Sequence, residues 1–413
     1  MSFKKRKLAD ITNYLKRGIT PKYVDDEGFI VLNQKCIRDN VVSYELSRLT
    51  SKMKNISEEK FLQNGDVLVN STGTGTLGRT ARFQGNEQSV VVDSHITIVR
   101  PDKNLVNDGY LGYYLASIEY VIENMARGAT NQVELSAKDL GELLIPSPDL
   151  KTQERIASTL SAYDDLIENN RRRIQLLEES ARLLYREWFV HFRFPGHEHV
   201  EIVDGLPQGW KEVKFEDTSL KFIDGDRGKN YPNHSEFRHN GYCLFLSAKN
   251  VTSDDKFNFS NELMFITKEK DSILRSGKLK RGDLVLTTRG TVGNVAYYDD
   301  SINFENIRIN SGMVILRDFE DDFESYYLYV TLRSLSFKDQ MKNFTSGTAQ
   351  PQLPIRDLKK MKILKPSSKI MKNYCVVLKS SSLQIQNLEL QNQKLKEARD
   401  ILLPRLMNGE IAV

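Results

Sequence analysis

Apolar residues recur along two stretches of this chain at alternating spacings of four and three. The first stretch runs through Ile156, Leu160, Tyr163, Ile167, Asn170, Ile174, Leu177, Ala181, Leu184 and Trp188. It is an unbroken heptad seam and predicts a coiled-coil helix. A second seam runs through Met371, Tyr374, Leu378, Ser381, Ile385, Leu388, Asn392, Leu395, Arg399, Leu402 and Leu406. Ser381 and Arg399 interrupt it, and Pro404 is expected to end its helix nearby. An apolar stripe on a helix needs a partner, so the two seams are expected to pack on each other. With Ile156 beside Leu406 in antiparallel order, Asn170 meets Asn392. A buried Asn of this kind fixes register at a cost in stability.

Ahead of each helix lies a mixed segment of short β-branched runs, such as Asp66 to Asn70, Val90 to Val92 and Ile96 to Val99, punctuated by Gly and Asn. These segments repeat. Asn64-Gly65-Asp66-Val67-Leu68-Val69-Asn70-Ser71-Thr72-Gly73 returns 217 positions on as Arg281-Gly282-Asp283-Leu284-Val285-Leu286-Thr287-Thr288-Arg289-Gly290. At the same shift, Ser94-His95-Ile96-Thr97-Ile98-Val99-Arg100 becomes Ser311-Gly312-Met313-Val314-Ile315-Leu316-Arg317. Thr130-Asn131-Gln132-Val133-Glu134-Leu135 returns, shifted by 218, as Thr348-Ala349-Gln350-Pro351-Gln352-Leu353. Three matches in order at nearly constant spacing mark an internal duplication. The fold expected is mixed α/β (α+β), with two β-rich domains alternating with two long helices in a pseudo-twofold repeat. The segments are residues 1–150, the central helix 151–194, a Pro- and Gly-rich linker 195–206, residues 207–367, and the C-terminal helix 368–413.

Charge narrows the options only slightly. Fifty-nine Lys and Arg face 55 Asp and Glu, a formal +4, too mild for a histone-like cationic coat, so any nucleic-acid surface must come from local clustering. Three scattered cysteines, Cys36, Cys243 and Cys375, form no CxxC pair and argue for a reducing compartment without a disulfide framework or structural zinc. The basic start, Lys4-Lys5-Arg6-Lys7, has no apolar run after it, and no run approaches the ~18 residues that span a bilayer. A cytoplasmic protein with no membrane partner is expected.

Motifs that suggest catalysis lack their context. Gly73-Thr74-Gly75-Thr76-Leu77-Gly78 satisfies GxGxxG, but another β-rich run soon follows where dinucleotide binding needs a helix. A tight loop at a strand end is the better reading. Gly228-Lys229 lacks P-loop spacing, and Asp204 with Glu212 and Lys214 resembles a nuclease motif only faintly. His191, His197 and His199 have neither HExxH spacing nor cysteine support for a metal. No catalytic residue and no metal site is expected in this chain.

The organisation as a whole resembles the specificity (S) subunit of a type I restriction-modification system. The residues that carry the likeness include Leu206-Pro207-Gln208-Gly209-Trp210, Gly282-Asp283-Leu284-Val285 leading to Arg289-Gly290, and Ser346-Gly347-Thr348-Ala349-Gln350-Pro351-Gln352-Leu353. Gln153-Glu154-Arg155-Ile156 at the central helix and Leu402-Leu403-Pro404-Arg405-Leu406-Met407-Asn408-Gly409-Glu410-Ile411 at the exit complete it. The likeness spans essentially the whole chain. Two departures are local: the first half lacks the Leu-Pro-x-Gly-Trp opening, and Ser367-Ser368-Lys369-Ile370 replaces the Gln-Glu-x-x-Ile entry at the second helix.

The resemblance implies a non-catalytic scaffold. Each β-rich segment is then a target recognition domain reading half of a bipartite, asymmetric site in double-stranded DNA, with the antiparallel coiled coil as spacer. Two methyltransferase (M) subunits and restriction (R) subunits are the implied partners. S-adenosylmethionine, ATP and Mg²⁺ are implied to belong to those partners, in a complex that methylates adenine at N6 and cleaves DNA. Rival readings are an orphan coiled-coil scaffold and a recognition subunit with an unrecognised nuclease activity.

Polar residues of the repeated loops are the candidates for DNA contact: Ser71, Thr72, Thr74, Arg79 and Arg82 in the first domain, with Thr288, Arg289, Thr291 and Asn294 in the second. Arg127, Asn131 and Gln132, paired with Gln350 and Gln352, follow, as do Arg227, Lys229 and Asn230 outside the repeat. Arg, Asn and Gln make bidentate contacts to base edges, whereas Ser and Thr position phosphates. Residues shared by domains that read different sequences are expected to be structural or phosphate-directed rather than to discriminate bases. Were Arg289 a phosphate contact, Arg289→Ala would weaken binding and lower its salt slope.

Overall fold

The computed structural model describes residues 3–52, 55–85, 89–127, 133–259, 262–320, 322–345 and 351–412. In the first half, the strand after the repeated Gly-Asp, Val67–Asn70, is an inner strand of a four-stranded antiparallel sheet. The order is Thr12–Arg17, Ile96–Pro101, Val67–Asn70, Thr80–Arg82. The second half repeats it as Lys221–Asp224, Met313–Arg317, Leu284–Thr287, Val295–Tyr297. Register repeats as well: Ile98 faces Leu68, and Ile315 faces Val285. Both inner strands are buried along their whole length, which their continuous apolar runs anticipate.

A second small sheet also recurs. Val90–Val92 runs parallel to Gly28–Leu32, which pairs antiparallel with Arg48–Ser51. Ile307–Ile309 runs parallel to Cys243–Leu246, which pairs antiparallel with Phe265–Ile266. Short helices, Asp108–Ser117 and Ser325–Arg333, occupy matching places after the main sheets. Each carries a fully buried tyrosine whose hydroxyl donates to the exit strand, Leu144–Pro146 or Lys362–Lys365: Tyr110 to Pro146 O at 2.9 Å and Tyr327 to Leu364 O at 2.8 Å.

The repeated Asp and Arg explain themselves in three dimensions. Asp66 is 1% exposed and accepts two hydrogen bonds from Arg100 at 2.8 Å, beside one from the Gln63 amide. Asp283, equally buried, receives Arg317 at 2.7 and 2.6 Å. Each pair ties the start of one inner strand to the end of the next in planar, bidentate geometry. Gly65 and Gly282 precede the two aspartates with φ of +97° and +89°, the left-handed turn that admits the chain into the strand.

The long helices are Leu150–Phe189 and Ser368–Met407. Contacts divide the chain into two units, and each unit holds one β-rich domain with half of both helices: Met1–Arg171 with Glu389–Val413, and Arg172–Leu388. Within the first unit, Ile156 and Leu160 share a core cluster with Leu402, Leu406 and Met407, and Asn170 donates a 3.0 Å hydrogen bond to Asn392 Oδ1. Arg399 keeps its seam position by pairing with Asp164 at 2.5 Å, and the Tyr113 hydroxyl reaches the same carboxylate. Within the second unit, Trp188 and Phe189 pack on Tyr374, with ring centroids 5.6 and 4.9 Å apart. In both units the seams therefore run antiparallel.

The helix starts follow capping chemistry. Asp149 accepts from the Thr152 amide and hydroxyl, and these bonds hold its carboxyl below the usual carboxylate range. Gln153, 1% exposed, accepts from the Asn107 amide at 2.8 Å and donates to Pro148 O, which joins the helix start to the domain.

Two helix ends differ from expectation. The central helix stops at Phe189 rather than continuing to residue 194. Phe192 enters the left-handed region at φ +58°, and Phe192 and Phe194 fold back onto Trp210; aromatic packing outweighs the backbone cost. The C-terminal helix runs through Pro404 to Met407. Proline forfeits one hydrogen bond there, but Leu406 and Met407 are buried at 2% and 1% exposure and hold the last turn. No described helix is long and apolar enough to cross a membrane.

Replacing Asp283 by Ala leaves the Arg317 guanidinium, 14% exposed, without its countercharge. A loss of about 3–5 kcal/mol in denaturant unfolding is expected, and an unchanged midpoint would remove the pair from the framework. For the helix register, the double variant Asn170→Cys, Asn392→Cys is expected to form an intrachain disulfide under mild oxidation. Peptide mass mapping reads it; persistent free thiols would mean a different register.

Candidate nucleic-acid interface

The loop after each inner strand is framed by the same backbone hydrogen bonds. Ser71 N donates to His95 O at 2.8 Å and Ser71 O accepts from Leu135 N at 2.9 Å. Thr288 N donates to Gly312 O at 2.8 Å and Thr288 O accepts from Leu353 N at 3.0 Å. One residue further on, Thr72 bridges to Glu134 and Arg289 bridges to Gln352. Three chain segments thus meet at one place in each domain: the hairpin loop, the turn before Ile96–Pro101 or Met313–Arg317, and the segment that leads towards Leu144–Pro146 or Lys362–Lys365.

This frame turns two of the expected DNA contacts inward and engages others in bonds within the domain. Ser71 is fully buried, with its hydroxyl 2.6 Å from Thr97 Oγ1, and Thr288 is buried with its hydroxyl bonded to Gly312 O. Both face inward because they close the sheet, so neither can touch DNA. Arg82 pairs with Asp108 at 3.3 Å and braces the hairpin against its helix. Asn294 donates to Val251 O and Arg79 to Gly75 O, so both fasten loops. Asn230 donates to Ile273 O.

Others do reach solvent. Thr74, Arg127, Lys229, Arg289 and Thr291 are exposed, and Thr72 and Gln352 are half-buried on the frame. Arg227 is partly exposed and pairs with Asp224 at 2.9 Å while donating to Ser311 O. Asn131, Gln132 and Gln350 lie outside the described residues. The GxGxxG run is a loop, as its sequence context suggests: Gly73, Gly75 and Gly78 all have positive φ, and strand Thr80–Arg82 follows with no helix between.

Three residues of the frame were not among the sequence candidates. His95 is exposed with Nδ1 2.8 Å from Thr72 Oγ1, and Arg17 pairs with Glu134 and donates to Leu135 O at 2.7 Å. His95 and Glu134 lie inside the repeated segments but differ from their counterparts, so a search for identities passes over them. Among the described residues no group of three or more His, Cys, Asp or Glu side chains is arranged to hold a metal ion.

Beneath the frame, Asp93 and Asn310 occupy equivalent turns, each accepting from the amide two residues on. Burial pushes the Asp93 carboxyl up, with the His95 amide and ring opposing. Because its folded value exceeds the unfolded one, stability falls as pH rises from about 3.9 through the raised value. Asp93→Asn, which copies the second domain, removes that penalty. It is expected to raise the melting temperature at pH 7 and to lose this advantage near pH 4; equal gains at both pH values would contradict the cause.

Known proteins share this architecture. The family described as type I restriction modification DNA specificity domain matches residues 2–179 and again 207–397. The type I restriction enzyme MjaIX specificity subunit of Methanocaldococcus jannaschii is 27% identical over 400 residues, covering 91% of this chain and 85% of its own length. The HindI specificity subunit of Haemophilus influenzae is 25% identical, and the match covers 99% of both chains. The crystal structure of the type I restriction-modification S subunit from M. genitalium has the same fold, with a TM-score of 0.59 at 17% identity over 98% of this chain and 96% of that one. With that domain matched in both of its halves, this chain belongs to the family of type I restriction-modification specificity subunits.

Proposed function

We propose that the chain reads a bipartite, asymmetric sequence in double-stranded DNA, one half-site per domain, and has no catalytic step of its own. The observation that carries this reading is the duplication itself: two domains with one hydrogen-bonded frame and different exposed side chains, each seated on half of an antiparallel helix pair. A recognition fold used twice suits a target read in two halves, and unequal surfaces suit unequal halves. Exposed Thr74, Arg127, Lys229 and Thr291 are the groups assigned to phosphates, which position the protein without carrying sequence information.

The helices supply the docking surface for two methyltransferase subunits. Their seams are occupied, yet Leu176 and Val376 on outward positions are 70% and 71% exposed, more apolar surface than a free helix pair needs. Restriction subunits complete the nuclease form of the complex, and S-adenosylmethionine, ATP and Mg²⁺ belong to these partners.

Co-expression with the cognate methyltransferase, followed by genome-wide mapping of N6-methyladenine, tests the reading. A bipartite motif methylated only when both chains are present is the expected result. A stable complex that methylates no such motif would leave a scaffold without recognition and overturn it.

A further inference from the structure

The shared frame allows the two domains to be compared position by position on their solvent side. Arg17 lies opposite Thr97, and Asp224 lies opposite Val314, the equivalent of Thr97. Thr72 corresponds to Arg289, and their bridge partners Glu134 and Gln352 correspond to each other. His95 corresponds to Gly312, since their carbonyls receive the Ser71 and Thr288 amides. At these four positions Arg faces Asp, Thr faces Arg, Glu faces Gln and His faces Gly.

The surroundings do not vary in this way. Asp66 and Asp283, Arg100 and Arg317, and Tyr110 and Tyr327 are identical and make identical bonds. Gly18 and Gly225 stand where an added Cβ would collide with a backbone carbonyl, that of Val92 in the first domain and Asn310 in the second. The scaffold is retained while one small patch on it changes charge at three of four positions.

The patch is also wired differently in the two domains. In the first, its polar groups satisfy one another: Arg17 pairs with Glu134, and Thr72 with His95. In the second, Asp224 is engaged by Arg227, and the exposed Arg289 guanidinium has no partner among the described residues. Beside it stands Gln352. A free planar fork of donors next to a carboxamide fits the edges of purines: Arg to guanine O6 and N7, Gln to adenine N6 and N7.

We propose that these four positions are the specificity-determining surface of each domain, and that Arg289 reads a guanine in the half-site of the second domain. The inference rests on the reading of the chain as a DNA specificity subunit. It replaces the expectation that the repeated loops are only structural or phosphate-directed: the backbone of the loop is common to both domains, but the side chains it presents are not.

Arg289→Lys separates the two roles, because lysine keeps the charge that a phosphate needs and loses the fork that a guanine needs. The full chain, its Arg289→Lys variant and its His95→Ala variant are each co-expressed with the methyltransferase, and the methylated motif is mapped. In Arg289→Lys, one G·C position of one half-site is expected to become degenerate, with discrimination there falling roughly 10- to 100-fold and the other half-site unchanged. His95→Ala is expected to alter only that other half-site. An Arg289→Lys motif with full discrimination overturns the inference. So does Arg289→Ala if it weakens binding equally on all sequences and lowers the salt slope, the mark of a phosphate contact. If the unaltered chain yields no bipartite motif, the functional reading itself fails and takes the inference with it. Arg289 is exposed and makes no ion pair among the described residues, so thermal melts of its variants should match the parent.

Discussion

The hydrogen bond between Asn170 and Asn392 is the contact from which the helix arrangement follows. Asn170 is buried in the apolar seam and Asn392 half-buried; a slip in register would leave the buried amide without its partner. Once they meet, the first unit must place Ile156 and Leu160 against Leu402 and Leu406. Antiparallel order gives each domain the start of one helix and the end of the other. The chain thereby uses one helix pair twice, as a platform for two domains of the same design.

Those domains survive divergence because their frame is held by charges and backbone rather than by an identical core. The buried Asp66–Arg100 and Asp283–Arg317 pairs fix adjacent strands in bidentate geometry, and loss of either partner would strand a charge in the interior. Tyrosine hydroxyls then fasten the following helix to the exit strand. Around such fixed points apolar residues exchange freely: Val67, Leu68 and Val69 stand where Leu284, Val285 and Leu286 stand in the second copy. Loops vary more readily still. The hairpin connecting Leu284–Thr287 to Val295–Tyr297 is shorter than the one connecting Val67–Asn70 to Thr80–Arg82, yet Gly78 and Gly293 each donate to the last residue of the preceding strand.

A surface built on this frame can change its chemistry without changing its shape. Arg17 and Glu134 neutralise each other in the first domain, whereas the exposed Arg289 has no ion pair among the described residues of the second. Such exchanges cost little in stability, because exposed polar groups exchange protein partners for water at nearly equal free energy. Recognition can therefore diverge where folding is indifferent. Buried neighbours such as Ser71 and Thr288 cannot follow, for their hydroxyls and amides close the sheet.

Heptad spacing in the sequence determined the two helices and their need to pair, because these depend on local periodicity and on the need to bury a stripe; the antiparallel order in which the two asparagines meet was a hypothesis that the family likeness supported. The duplication, with the family likeness, was equally legible, since repeated Gly, Asp and Arg carry backbone demands that survive divergence. What the sequence could not show was which polar residues of the repeated loops face inward. Ser71 and Thr72 are adjacent and chemically alike, yet one is sealed beneath the segment at Leu135 and the other, half-buried, reaches solvent beside His95. Only the tertiary structure decided that, because burial of a polar side chain depends on hydrogen bonds to segments far away in the chain. The same distance hid the partnership of Arg17 with Glu134, while the ends of the helices were settled by packing on Trp210 and Ile156 rather than by propensity.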